Sequence, residues 1–248
     1  MPKVPKRKHR NPILDEWYSD DGMIRVILGD CFGVMHVLKA GSVDAIITDP
    51  PYPRKFDRVW DALGSPAFKL CKDQSFLTTL CGHYQVPRVM NACLEGGWEW
   101  FWPCIASNKN QSIMHGYKAK CCHKPCLVFR KGGVRPHRIF CDDFALRSMT
   151  QQWKASQSRH CWGQSDAIFF EPIDAFTLPG QVVCDPFVGS GTTAIVCLRL
   201  KRQFIGIEIS REYFDVAKKR IQKHIDLLGS MTNDVEFGST GVIEICKF

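Results

Sequence analysis

Two short apolar runs limit the folds open to this chain more than any other feature. Val43-Asp44-Ala45-Ile46-Ile47 and Val182-Val183-Cys184 are rich in β-branched residues and too short for helices. That is the pattern of strands buried on both faces of a parallel sheet. In open α/β sheets ligands bind at the carboxyl ends of such strands, so whatever follows each run faces that edge. After the first comes Thr48-Asp49-Pro50-Pro51-Tyr52. After the second comes Asp185-Pro186-Phe187-Val188-Gly189-Ser190-Gly191-Thr192-Thr193.

The first tip is a stiff elbow. Each proline fixes its own φ, lacks an N–H and pushes the preceding residue toward extended geometry. One carboxylate, bare backbone carbonyls and an aromatic ring are thereby held together. This set can clamp a planar amine: Asp49 accepts one N–H of an exocyclic NH2, the Pro50 carbonyl accepts the other, and Tyr52 stacks on the ring that bears it. A plain Pro-rich turn with Asp as turn former is the competing reading.

The second tip is glycine-rich. Gly189-Ser190-Gly191 opens an apolar run from Ala194 to Leu200, and its glycines permit a tight turn and close backbone approach to a ligand at a helix start. No Gly-Lys-Ser/Thr follows, so it is not a phosphate loop, and Ala194 stands where a dinucleotide fingerprint needs its third glycine. Phe204-Ile205-Gly206-Ile207-Glu208 is a further strand ending in an acid, which can hold a ribose diol. This half therefore suits an adenosine-like cofactor without a pyrophosphate.

TDPPY, DPFVGSGTT and FIGIEIS, in that order, resemble the amino-group DNA methyltransferases that use S-adenosyl-L-methionine. The catalytic strand precedes the glycine motif, as in the permuted, beta-type subgroup. The resemblance covers roughly residues 24 to 224. It implies a doubly wound, mostly parallel seven-stranded α/β sheet with one reversed strand, and methyl transfer to N6 of a flipped adenine in double-stranded DNA. Asp49, Pro50, Pro51 and Tyr52 would form the catalytic set. Asp185, Phe187, Gly189, Ser190, Gly191, Thr192 and Glu208 would hold the cofactor.

The resemblance extends to weaker segments. Asp30 and Cys31 would border the cofactor's adenine, although Asp30 also reads as the cap of a helix from Cys31 to Lys39. His160-Cys161-Trp162-Gly163-Gln164-Ser165 stands where many relatives have His-Pro-x-x-Lys-Pro. His160 is kept, and Gln164 and Ser165 replace the Lys-Pro, so backbone groups and the Ser165 hydroxyl would take the cofactor's carboxylate.

Charge adds a partner. The formal charge is +8, and five cations lie in the first ten residues. From Trp100 to Cys141 there is no Asp or Glu, while Lys109, Lys118, Lys120, Lys124, Arg130, Lys131, Arg135 and Arg138 fall in that span. A one-signed segment of this kind reads as a phosphate-tracking surface, with a solvated face as the alternative. Arg54 and Lys55 follow the elbow and would overhang the target.

The chain reads as a basic flexible arm (1–20), one domain (21–228) and a C-terminal tail (229–248). Target-recognition insertions are expected near 53–64, 106–124 and 133–159. With 248 residues, 45% of them hydrophobic, one core is expected. No run has membrane-spanning length and no secretion signal is present, so the expectation is a cytoplasmic protein of prokaryotic or phage origin. The thirteen cysteines suit small buried hydrophobes better than disulfides. Cys121, Cys122, His123 and Cys126 lack the two separated ligand pairs of a zinc site, so no metal is expected. A homodimer is left open. Three rival functions also stay open: methylation of cytosine N4, methylation of RNA or protein amines, and a DNA-binding module without catalysis.

Overall fold

The computed structural model describes residues 11–52, 56–114, 118–144 and 166–236. Its frame is one eight-stranded sheet in the order β1-β2-β8-β7-β3-β4-β6-β5. The strands are β1 (Ile13–Tyr18), β2 (Ile24–Gly29), β3 (Val43–Thr48), β4 (Cys71–Leu80), β5 (Glu99–Met114), β6 (Ala119–Lys131), β7 (Val182–Asp185) and β8 (Gln203–Glu208). The helices are α1 (Cys31–Val37), α2 (Val59–Leu63), α3 (Ser65–Leu70), α4 (Val86–Glu95), α5 (Asp166–Phe176), α6 (Thr192–Arg199) and α7 (Arg211–Glu236).

The five central strands run parallel. β3 and β7 are the two apolar runs of the sequence, and they are neighbours, with Ala45 opposite Val183 and Ile46 opposite Cys184. They pair because each is buried on both faces, and only the middle of a doubly wound sheet offers two covered faces. One face is covered by α1 to α4, burying Trp60, Leu63, Val89 and Phe129. The other is covered by α5, α6 and α7, burying Phe76, Phe176, Phe204 and Phe214. Phe214, Ala217 and Ile221 form the buried stripe of α7, as their helical spacing predicts.

The doubly wound α/β sheet is the expected one, with an added strand. β6 is the expected reversed strand, antiparallel to both β4 and β5. β1 is the eighth, antiparallel to β2. It corrects the reading of residues 1–20 as a flexible arm: Ile13 to Tyr18 alternate half-buried and exposed along an edge, and Arg211 of α7 reaches Asp15 at 2.5 Å. Only residues 1–10 of that arm lie outside the described residues. At the other end α7 runs on to Glu236, past the expected start of the tail at 229.

Two of the expected insertions carry regular structure. Much of 53–64 is helix, with Trp60, Ala62 and Leu63 fully buried. The polar stretch 106–124 is the end of a long β5–β6 hairpin, with Ser112 opposite Cys121 and Met114 opposite Ala119. A hairpin that projects past the helices has little core to face, so its composition is that of a loop. In the third, Val134 and Phe144 are buried in the core, and residues 145–159 lie outside the described residues. No described helix is long and apolar enough to cross a membrane.

Candidate active site

The elbow and the glycine turn stand side by side. Continuing the β3–β7 register past the strand ends brings Asp49 level with Phe187. Thr48 and Asp185 join the two tips directly: the Thr48 hydroxyl donates to Asp185 Oδ1 at 2.5 Å. Asp185 also accepts from the Thr193 hydroxyl at 2.7 Å and from the Phe187 N–H at 3.0 Å. Burial pushes its carboxyl up to about 6, against the lowering effect of those three donors. Asp185 is therefore a bolt between the halves of the site, shut away at 2% exposure, with no surface to offer a ligand.

Asp49 is a third exposed, and its two oxygens face different partners. Oδ1 accepts from the Tyr52 hydroxyl. Oδ2 faces the Lys124 ammonium of β6 at 3.4 Å, and the same ammonium sits 5.0 Å from the centre of the Tyr52 ring. Burial, and after it the Asp49 charge, hold the Tyr52 phenol well above its ordinary value, so it stays a donor. The elbow is fixed from behind by the Tyr52 carbonyl, which accepts from Tyr84 Oη and Gln85 Nε2, both at 2.7 Å. No hydrogen bond to the Pro50 carbonyl forms among the described residues.

The glycine turn is built for close approach. Gly189 and Gly191 have φ of +52° and +85°, where side chains are strained. A Cβ on Gly189 would meet nothing nearer than the Phe187 carbonyl oxygen at 3.9 Å, whereas one on Gly191 would press on Ile221 at 3.1 Å. Gly189 thus borders open space, and Gly191 lets α7 pack close. Glu208 faces the same turn: one oxygen accepts from the Gly189 N–H at 3.0 Å and the other from the Ser210 N–H at 2.8 Å. Lone pairs remain on both oxygens for a diol.

Several contributors have no sequence signal at the motifs. Arg220 of α7 donates to the Ser190 carbonyl, the Ser190 hydroxyl and the Thr192 hydroxyl at 2.8–3.1 Å. Lys124, Tyr84 and Gln85 support or contact the elbow from distant segments. The cap of α1 is Asp30, whose Oδ1 accepts from Phe32 N at 2.9 Å and Gly33 N at 3.4 Å. The capping role is thus filled by Oδ1 alone. Cys31 is buried beside it, its thiol pushed up to about 12 by burial and then by Asp30.

The expected DNA-contacting cations divide. Lys118 and Lys120 are exposed on the hairpin, at the ligand edge. Arg130 and Lys131 are corrections. They sit opposite Phe76 and Ser75, where β4 begins to pair with β6, at the end of that pairing away from the elbow. Arg130 pairs with Glu99 at 3.0 Å, and Lys131 bonds the Phe68 and Cys71 carbonyls and Asp73. Arg138 is another, bound to Glu171 and Asp174. Arg135 is exposed on the same side of the molecule as Arg130. Arg54, Lys55, His160, Gln164 and Ser165 lie outside the described residues, as does the side chain of Lys109.

Comparison with known proteins gives a consistent set. The family model N6_N4_Mtase, described as DNA methylase, matches residues 43–219. YubD of Escherichia coli K12, whose name describes it as a methylase, is 28% identical over 216 residues, covering 80% of this chain and 90% of YubD. The crystal structure of M1.HpyAVI superposes with a TM-score of 0.60 at 25% identity, over 80% of this chain and 98% of that one. The cytosine-N4-specific PvuII DNA methyltransferase shares the fold, with a TM-score of 0.63 at 15% identity, over 85% of this chain and 93% of that one.

Proposed function

This chain belongs to the DNA methylase family, and from that premise we propose that it transfers a methyl group from S-adenosyl-L-methionine to the N6 amine of an adenine flipped out of double-stranded DNA. The observation that carries the proposal is the adjacency of β3 and β7, which sets the Asp49 elbow beside the Gly189 turn at one sheet edge. An amine held at one and a cofactor at the other come within reach.

The residues present fit the cofactor. Open space over Gly189 admits its backbone-hugging part, and Glu208 offers acceptors for the ribose hydroxyls. Asp30 Oδ2 would accept from the adenine amine. When bound, the cofactor supplies an electrophilic methyl on a sulfonium.

The chain's own residues prepare the nucleophile. A base inside a duplex cannot reach this edge, so it must leave the stack at a cost of a few kcal/mol. Its amino lone pair is delocalised into the ring. Hydrogen bonds from that amine to Asp49 Oδ2 and the Pro50 carbonyl draw the nitrogen toward tetrahedral geometry and free the pair. Positive charge then builds on nitrogen, and the Asp49 carboxylate stabilises it. Lys124 competes for the same oxygen, its ammonium lying 3.4 Å from it. The Tyr52 hydroxyl fixes the carboxylate through Oδ1, and its ring offers the stacking face.

A carboxylate before Pro-Pro-Tyr supports adenine over cytosine, since relatives acting on cytosine N4 lean toward Ser there. The test uses methyl-labelled cofactor and unmethylated DNA, digested to nucleosides after reaction. Label in N6-methyldeoxyadenosine is expected. Label in N4-methyldeoxycytidine would move the assignment to cytosine, and no label in either would defeat the catalytic reading.

A further inference from the structure

The turn at His83–Gln85 and the β5–β6 hairpin enclose a groove of about 500 Å3, walled by His83, Tyr84, Lys120, Cys122 and His123 among others. The methyl-transfer chemistry uses none of its histidines. The two imidazoles meet edge to face with centroids 4.9 Å apart. Among the described residues no carboxylate lines the groove. It abuts the elbow, because the Tyr84 hydroxyl in its wall donates to the Tyr52 carbonyl. A strand whose base enters the elbow would therefore run its backbone past this wall.

Among the described residues the carboxylates near the pair are each engaged by other groups, and the remaining charges favour an anion. The turn presents His83 and Tyr84, and β6 presents Lys120, His123 and Lys124. Asp49, the carboxylate of the elbow, is engaged by Tyr52 and Lys124. Arg88 of α4 is held by Asp57 and Asp61. From β5, Ser107 stands opposite His123, and its N–H and hydroxyl both engage Asp143. Two imidazoliums at this separation repel, and without an anion the second proton is disfavoured. Consistent with that, burial and then His123 hold His83 below its ordinary value.

We propose that this groove binds a backbone phosphate next to the extruded nucleotide, and that the phosphate is met by the His83–His123 pair with both rings protonated. The inference rests on the DNA-methylation reading. The phosphate oxygens accept from an N–H of each ring, and its negative charge offsets the repulsion between them. DNA binding then takes up a proton. Since His83 is hard to charge in the free protein and a bound phosphate favours its charged form, affinity must rise as pH falls through the ordinary histidine range.

The test measures anisotropy of a fluorescein-labelled duplex of random sequence, at fixed ionic strength, from about pH 8 to about pH 5.5, with sinefungin in the cofactor site. For the wild type, the affinity gain should approach about tenfold per pH unit where one proton is taken up. The His83→Phe/His123→Phe double variant keeps both rings and should lose the dependence. Each single variant, with one imidazole left to be charged, should show a shallower dependence than the wild type, which covers a double variant that fails to fold; sinefungin binding checks the fold of all three. A pH-independent wild type, or variants as steep as the wild type, would overturn the proposal. Methyl transfer by the wild type at pH 8 is assayed in parallel. Methylation with a flat affinity profile sinks the groove alone, whereas absence of both methylation and duplex binding sinks the DNA reading with it.

Discussion

At Asp49 the oxygen needed for the amine is the one facing Lys124, so the two residues predict opposite outcomes. Asp49→Ala should lower turnover by about 10²–10³-fold or more while cofactor affinity by calorimetry stays unchanged, since Asp49 lies outside the glycine turn. Near-full turnover would mean that the elbow is only a turn. Lys124→Met removes a partly exposed partner, so it should help the amine enter and lower KM for DNA, by no more than a few-fold for a pair so open to solvent. A raised kcat with unchanged KM would contradict that. Asp185 gives a pH test. Its folded value, about 6, lies above the ordinary 3.8, so its contribution to stability is intact below that ordinary value and is lost as pH rises through about 6. Asp185→Asn stays neutral throughout. Its unfolding free energy should gain on the wild type as pH rises from about 4 to about 6, by up to roughly 3 kcal/mol, and a constant difference would refute the shift. The sequence displayed Asp49 through Tyr52 because their chemistry is local. It hid Lys124 and the Thr48–Asp185 bolt, whose partners lie 75 and 137 residues apart.

Elements were legible where burial imposed a period. β3, β7, β8 and the stripe of α7 follow from apolar spacing, and their carboxyl ends located the site. The elements misread are those that face little core. β1 is an edge strand whose alternation is blurred by Asp15 and Glu16. The outer β5–β6 hairpin carries the polar residues of a loop but satisfies its backbone by pairing. α2 was hidden for another reason: five residues are too few to display a helical period, although Trp60 fixes it in the core. The glycine turn shows how one element depends on another. Arg220 of α7 clasps Ser190 and Thr192, so Arg220→Met should weaken cofactor binding several-fold while leaving kcat at saturating cofactor near the wild-type value. Gly191→Ala forces a Cβ against Ile221 at a positive φ and should cost about 1–3 kcal/mol in denaturant unfolding. Gly189→Ala has the φ cost without the clash. If the two destabilised equally, the packing argument would be wrong.

At the scale of the whole molecule the lesson concerns charge. The span from Trp100 to Cys141 is one-signed in sequence, yet the fold returns carboxylates to it from other segments. Glu99 meets Arg130, Asp73 meets Lys131, and Glu171 with Asp174 meets Arg138. Net charge along a chain therefore overstates the anion-binding surface, because the neutralising acids arrive by folding. Among the described residues, what remains at the ligand edge is Lys118 and Lys120 on the hairpin. Counterion release scales with the phosphates met, by a slope of about 0.9 per contact in log affinity against log salt. The Lys118→Ala/Lys120→Ala double variant should thus flatten the salt dependence of duplex binding by about two such contacts, with melting unchanged because both side chains are exposed. Arg138→Ala should do the reverse. It leaves the salt slope alone and destabilises the fold by about 2 kcal/mol, since it removes the guanidinium facing Glu171, which is 1% exposed. If Arg138→Ala reduced the slope and the hairpin variant did not, DNA would lie along the α5 side of the sheet, and the elbow could not receive its base.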